Sequence, residues 1–457
     1  MARGIRAGVK VRTKFGEGVV EAVGGDTASV TVPHVGMLRC LLHELVLVGE
    51  PAEPKAGVSK PRPLPGRDSE ARGALLRSLE ALRFGIVPRE AIERLTIGYK
   101  ALESWVGQRL PEAGDGLPTI SEICGAFGTG KSHTMAAIRH IAAANNYLTA
   151  HVEVDGHGVT LSDPIGLLYH LWSTLTAREL ESAVPLVELN QRALDRGALP
   201  AQTALESYPR VYSNHETIRY LRTHGALEPF EERLDGLMAC SPQEPATSIR
   251  QDIISHLHDR GVPRWEVYEH VQPTRVVGVG VEGRPEDFVD CLMGYASLAR
   301  VAGYAGVVVT VDEFEVEHQG SHERLQRIVA LAATLRVRFG SEGSRGVPLA
   351  VFIATVGEQG QLGDVIVEAM LGAGGGDHAQ NRRELRAWPA KNLLDLAGRI
   401  HRLYCDTYAS AATFDRDEAD ELADRAAGES ADESGQIRAF IKGYLAHLDA
   451  RLGPPCA

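Results

Sequence analysis

Between Gly125 and His133 the chain reads GAFGTGKSH, and Gly125, Gly130, Lys131 and Ser132 fill the pattern G-x-x-x-x-G-K-[ST]. Each residue type has a mechanical reason to stand where it does. Glycines let the backbone curl through positive φ, so that successive N–H groups converge on phosphate oxygens. A helix starting near Lys131 adds the positive end of its dipole, Lys131 brings a mobile ammonium to the β- and γ-phosphates, and the Ser132 hydroxyl is a ligand for Mg²⁺. The apolar run Ile120-Ser121-Glu122-Ile123-Cys124 precedes the loop, which predicts the strand, loop and helix that the motif requires. Gly125, Ala126, Phe127, Gly128, Thr129, Gly130, Lys131, Ser132 and His133 are therefore the candidate nucleotide-binding set, with ATP and Mg²⁺ as the implied ligands.

A second segment supplies acids. Gly306-Val307-Val308-Val309-Thr310-Val311 ends in Asp312-Glu313, a continuous apolar run of the kind found in parallel strands covered on both sides. Asp312 is the candidate metal ligand, together with Ser132. Glu313 is the candidate catalytic carboxylate that polarises the attacking water, since in-line phosphoryl transfer needs charge neutralised and a nucleophile aimed. Glu315 extends the acidic cluster, with a helix-capping role as its alternative. Leu349-Ala350-Val351-Phe352-Ile353-Ala354-Thr355 predicts a further buried strand, and its closing hydroxyl makes Thr355 a candidate sensor of the γ-phosphate or of the attacking water. In the run Gln380 to Arg386, Arg382 or Arg383 is a candidate arginine finger for a neighbouring subunit, against the alternative of a solvated loop. Arg438 opens a late helix as a candidate second sensor, its alternative being a surface salt bridge. His318 and His322 have metal-binding spacing but no third ligand, and no G-x-S-x-G elbow is present.

These parts need a scaffold larger than one core. The chain has 457 residues, a net charge of −12 and 24% charged residues, which predicts two to four domains and excludes a wholly basic nucleic-acid clamp. Six scattered cysteines without a C-x-x-C pair fit a reducing cytoplasm. No apolar run is long enough for a membrane span. Residues 1–48 carry short β-branched runs between Gly-rich turns and predict a small β-barrel, with Val9 and Val11, Val19 and Val23, and Ala28 with Val30 and Val32 in alternation. Residues 49–67 hold five prolines and predict an extended linker. Residues 68–410 form the expected core, with a helical insertion at about 160–300 between its second and third strands and a fifth strand around Trp388. Residues 411–457 form the expected helical lid.

The first segment resembles the Tudor-like or SH3-like barrels of UvrD-type helicases, chiefly in its KFGEGVV turn, and the resemblance implies a docking module for protein or nucleic acid; the alternative is a barrel that merely packs on its neighbour. From about Ser69 onward the chain resembles the ATP-binding D component of BREX phage-exclusion systems and its relatives, which are distantly like archaeal origin-recognition ATPases. RFGIVPREAIERLTIGY, GAFGTGKSH, ASLARVAGYAG before VVVTVDEFE, FIATVG and GQIRAFIKGYL carry it. It implies an AAA+ or origin-initiator-like α/β P-loop NTPase, with the segment from Arg83 to Pro88 against the adenine or as a plain helical cover. It also implies an antiviral defence or DNA-processing role, DNA as a partner and a protein partner such as a helicase or nuclease; a homo-oligomer is the expectation that goes with an arginine finger offered to a neighbour. Residues 1–49 hold only six Lys/Arg against four Asp/Glu, a slight excess for DNA. The rival reading is a nucleotide-responsive scaffold with little turnover.

Overall fold

The structure, a computed structural model, describes residues 10–13, 16–24, 27–32, 36–41, 46–47, 66–111, 116–154, 158–177, 180, 182–243, 245–271, 283–314, 322–356, 367, 370, 378–386, 388–429 and 436–452. The chain divides into two units, Met1–Pro65 and Gly66–Ala457.

In the first unit, β1 (Lys10–Thr13), β2 (Gly16–Gly24), β3 (Thr27–Val32), β4 (Gly36–Leu41) and β5 (Val46–Leu47) form an antiparallel sheet in the order β4-β3-β2-β1-β5. Val11, Ala28 and Val30 are buried as the alternation predicts, whereas of the β2 side chains described Val20 is buried and Val19 is 36% exposed. Val20 lies opposite Val30, and a bulge between Val20 and Ala22 shifts the register. A bulge adds a residue on one strand, so simple parity misassigns the face.

The second unit is built on a five-stranded parallel sheet of β6 (Thr119–Gly125), β7 (Tyr147–Glu153), β8 (Gly306–Asp312), β9 (Leu349–Thr355) and β10 (Arg382–Leu385), in the order β10-β6-β9-β8-β7. Helices α1 (Gly66–Phe84), α2 (Ile92–Leu95) and α3 (Tyr99–Gly107) precede β6, and α4 (Lys131–Ala144) links β6 to β7. Between β7 and β8 run α5 (Pro164–Ser173), α6 (Pro185–Asp195), α7 (Ala198–Leu205), α8 (Pro209–Thr223), α9 (Glu231–Met238), α10 (Ala246–Asp259), α11 (Arg264–His270) and α12 (Pro285–Val301). Beyond lie α13 (His322–Phe339), α14 (His378–Asn381), α15 (Ala390–Tyr408), α16 (Arg416–Glu429) and α17 (Gln436–Leu452).

Side-chain alternation divides the sheet between two cores. Val307, Val309, Val311, Leu349, Val351 and Ile353 face the insertion helices with α12 and α13, while Val308, Ala350, Phe352 and Ala354 face α3 and α4. Strands covered on both faces must be apolar at every position, which is why β8 and β9 read as unbroken runs. The third cluster joins α1 to α15, α16 and α17 through Leu79, Leu82, Leu396, Ile400, Ala419 and Phe440. Local signals set the helix ends. Asp163 caps α5 by accepting from the Gly166 amide at 3.1 Å, ahead of Pro164 at the first helical position. Gly85 at φ 72° ends α1, with the amides of Gly85 and Ile86 bonded to Leu82 and Ala81 carbonyls in a Schellman motif.

The fifth strand is a correction: it is Arg382–Leu385, the basic run itself, and not the stretch around Trp388. Among the described residues β10 is an edge strand paired only to β6, so its side chains are alternately exposed and half-buried and leave no apolar run to read.

Candidate functional site

Sheet order decides which loops meet. β9 lies between β6 and β8, and all three are parallel, so the loop after β6, Thr355 at the end of β9 and Asp312-Glu313 at the end of β8 open on the same edge. In open parallel sheets ligands collect beyond the carboxyl ends of the strands, where helix N-termini also point.

The loop after β6 curls through Gly128 at φ 78° and Gly130 at φ 96°, conformations that cost a side chain about 1–2 kcal/mol. Gly130 is the residue before α4 and offers that helix no side-chain cap, which suits the first-turn amides to an anion. Gly125 is held for a different reason. A Cβ there would lie 2.6 Å from the Leu385 carbonyl oxygen of β10 and 2.7 Å from Thr129 Oγ1. Thr129 donates its hydroxyl to the Ala126 carbonyl at 2.8 Å and so braces the curl from within. Buried Lys131 donates Nζ to the Gly125 carbonyl at 2.9 Å and to that of Ala126 at 3.3 Å, and lies 5.1 Å from the Phe127 ring centroid. Phe127 is 59% exposed. Ser132 is exposed on the first turn of α4.

His133 turns elsewhere. Its Nε2 is 2.8 Å from Thr96 Oγ1, and Thr96 donates its own proton to the Ile92 carbonyl at 2.6 Å, so the imidazole N–H is the donor between them. Burial pulls the His133 pKa down to about 4. The carbonyls of Arg94 and Thr96 accept from Arg399 of α15 at 3.1 Å each. The start of α4 is thereby tied through the α2 turn to the helices that follow the sheet.

Across the edge, Asp312 is buried at 2% exposure and accepts from the Glu313 amide at 3.0 Å. Its strand parity is that of Val308 and Thr310, the α4 side, and Arg139 of α4 donates to Thr310 Oγ1 at 2.9 Å. Burial brings the Arg139 pKa down to about 10, helped by the like charge of Arg89 and opposed by Asp312 and Glu153. The His151 pKa is also lowered, first by burial and then by Arg139. Glu313 is exposed and holds φ at 56°, a left-handed conformation rare for a residue with a side chain. Such strain gathers at working sites. Glu315 and His318 lie outside the described residues, and His322 bonds Gln326 at 3.0 Å.

Thr355 is fully buried and donates its hydroxyl to Glu122 Oε1 on β6. Arg382 on β10 approaches the other Glu122 oxygen at 3.2 Å and Cys124 Sγ at 3.1 Å. Arg383 lies 5.7 Å from the Trp105 ring centroid. Both arginines are strand residues and not part of a solvated loop, and each has a contact within its own chain. Glu122 was not singled out from the sequence, although a lone carboxylate inside an otherwise apolar strand was the available signal. Arg438, on the first turn of α17, packs its side chain over Gly85, where a Cβ would lie 3.1 Å from its Cδ. Phe84 and Ile86 beside it are 70% and 62% exposed. This brings α17 to the Arg83–Pro88 segment.

The segment from α1 to just beyond α5 carries the G-x-x-x-x-G-K-[ST] pattern, with β6 before it and β7 after α4. Residues 72–179 match the family of BREX system ATP-binding proteins BrxC/D. The resemblance legible in GAFGTGKSH and RFGIVPREAIERLTIGY is therefore shown over this segment, and the match ends before β8 and its acids. No curated protein matches the chain. Among the described residues, no helix is long and apolar enough to cross a membrane.

Proposed function

We propose that the second unit is a Mg²⁺-dependent P-loop ATPase of the AAA+ or origin-initiator-like class, in which nucleotide state controls DNA engagement or partner assembly in a BREX-like cytoplasmic defence system. The observation that carries the reading is the meeting of three strand ends on one edge: the curled loop with Lys131, the pair Asp312-Glu313, and Thr355 between them. The family whose profile matches residues 72–179 is described as ATP-binding, which supports ATP as the ligand.

The curled backbone and uncapped α4 amides receive the polyphosphate. Lys131 already carries its charge inside the loop on neutral carbonyls, and phosphate oxygens are the stronger acceptors for an ammonium. Ser132 and Asp312 supply a hydroxyl and a carboxylate on the α4 side, hard oxygen donors of the kind Mg²⁺ takes beside phosphate and water. When bound, the ion neutralises charge developing on the transferring phosphoryl group. Glu313, exposed at the strand end, orients and deprotonates the attacking water, and Arg438 approaches the nucleotide from α17. DNA and a protein partner from the same system are the expected targets, with the first unit as a docking module.

The test is steady-state phosphate release with and without DNA. Wild type is expected to turn over, and Glu313→Gln to bind ATP while losing at least about 100-fold in rate, the usual worth of a positioned base. Lys131→Ala is expected to lose tight ATP binding. Equal, negligible release by wild type and Glu313→Gln would leave only the scaffold reading, and unchanged ATP affinity in Lys131→Ala would remove the site assignment.

A further inference from the structure

We propose that Glu122 is a positioning residue that fixes Thr355 as a hydrogen-bond acceptor for the attacking water, an inference resting on the ATPase reading above. A hydroxyl has one proton to give and two lone pairs with which to accept. The Thr355 proton is given to Glu122. The carboxylate is 2% exposed on the strand that feeds the phosphate loop, and Cys124, two residues on, stands directly opposite Thr355 in the register. Arg382 from β10 supplies the counter-charge at 3.2 Å and is steadied by Cys124 Sγ at 3.1 Å. Three adjacent strands thus meet in one polar network.

Packing alone does not ask for a carboxylate here, since a charge buried at 2% exposure costs free energy unless it is paired and hydrogen-bonded, and an apolar side chain carries no such cost. What the carboxylate does is choose the direction of one hydrogen bond. With its proton committed, Thr355 has only lone pairs left to offer a further partner. A γ-phosphate oxygen is also an acceptor, so the two do not bond, whereas a water molecule donates. In hydrolysis the water oxygen bonds the γ-phosphorus while the bond from that phosphorus to the β,γ-bridging oxygen breaks. One water proton passes to Glu313 and then to solvent, the other stays on the phosphate, and ADP leaves with the bridging oxygen. Thr355 accepts from the O–H that is retained, and the two acceptors together aim the lone pair of the water.

A double-mutant cycle on kcat tests this. Glu122→Gln lets the amide turn its oxygen to Arg382 and its NH₂ to Thr355, freeing the hydroxyl proton. Glu122→Gln and Thr355→Val are each expected to lower kcat about 10- to 100-fold, the scale of a misaimed reactant, with the KM for ATP within about twofold of wild type. The double variant is expected to be no slower than the slower single, because the two residues act as one unit, and Thr355→Ser is expected to retain wild-type kcat. Should Glu122→Gln fail to fold, Arg382→Gln replaces it, since that side chain is 48% exposed; it is expected to lower kcat and to add nothing to Thr355→Val. Losses that multiply, losses that appear in KM alone, or a Thr355→Ser variant as slow as Thr355→Val would overturn the inference while leaving an active ATPase. A wild type that releases no phosphate would overturn it together with the ATPase reading.

Discussion

Gly125→Ala and Gly443→Ala add the same methyl group and are expected to move stability in opposite directions. At Gly125 the new Cβ would stand 2.6 Å from the Leu385 carbonyl oxygen, 2.7 Å from Thr129 Oγ1 and 3.1 Å from Leu385 Cβ. The first of these belongs to the backbone of β10, which is held to β6 from Arg382–Glu122 to Leu385–Gly125, so relief requires a strand to move and not a rotamer. Overpacking of this kind costs about 1–3 kcal/mol. At Gly443, exposed in the interior of α17, nothing lies within 4 Å of the added Cβ, and the gain in helix propensity is about 0.5–1 kcal/mol. Unfolding entropy of about 2 cal/mol/K per residue makes 1 kcal/mol worth roughly 1 °C if a unit of this size melts together. Differential scanning fluorimetry should therefore show Gly125→Ala lowered by about 1–3 °C and Gly443→Ala slightly raised. Isothermal titration should show ATP affinity weakened only in Gly125→Ala, because the residue that must move is the first of the loop proposed to take the phosphates. A Gly125→Ala variant that melts with wild type and binds ATP as tightly would refute the claim that contact with β10 sets this glycine.

Two further perturbations probe the frame around the site. Thr96→Val removes the acceptor of the His133 N–H and leaves a buried donor unpaired at the start of α4, which costs about 1–3 kcal/mol; a lower melting temperature than Thr96→Ser is expected, and equality of the two would deny the contact a role. Asp235 accepts from the amides of Leu186 and Val187 through one oxygen at 2.7 and 3.0 Å, yet burial raises its pKa from 3.8 to about 6. A raised folded-state pKa means that the folded state binds the proton more tightly, so this contribution to stability is present below about pH 4 and is lost as pH rises through 6. Asp235→Asn keeps the accepting oxygen without the charge. It should melt above wild type at pH 8 and with it at pH 4, as read by fluorimetry, and a variant less stable at pH 8 would show that the carboxylate is favoured by the α6 N-terminus instead. His215 runs the other way: burial lowers its pKa from 6.5 to about 4, so its share of stability is present above 6.5 and is lost as pH falls toward 4.

What could be read in the chain was whatever a short stretch decides for itself. Gly128 and Gly130 take positive φ because the loop must curl within a few residues, and that demand is written in the same few positions. Val307 to Val311 and Leu349 to Ile353 are apolar throughout because each strand is covered on both faces, so strand existence and burial were legible from one-dimensional pattern. The long interval between β7 and β8 announced the insertion. β10 failed the same reading because an edge strand lacks a second neighbour and need not be apolar, which let Trp388 draw attention away from Arg382–Leu385.

The residues that escaped notice are those whose partners are assigned by strand order. Glu122 and Thr355 are 233 positions apart, and Glu122 and Arg382 further still. They meet because β9 and β10 enter on either side of β6. No local window contains that fact, and a lone acid in an apolar run reads as an anomaly until its neighbours are known. The same holds for Arg382, whose charge in isolation suggests solvent or a second subunit and whose place on β10 turns it inward to a carboxylate. For His133 the motif gives a place in the loop, and the fold adds a side-chain contact the motif does not state: the bond from Thr96 to the Ile92 carbonyl leaves that hydroxyl to accept from the imidazole. A residue type states what chemistry a side chain can do, and the direction of its hydrogen bonds, fixed only by the fold, decides which of those it does.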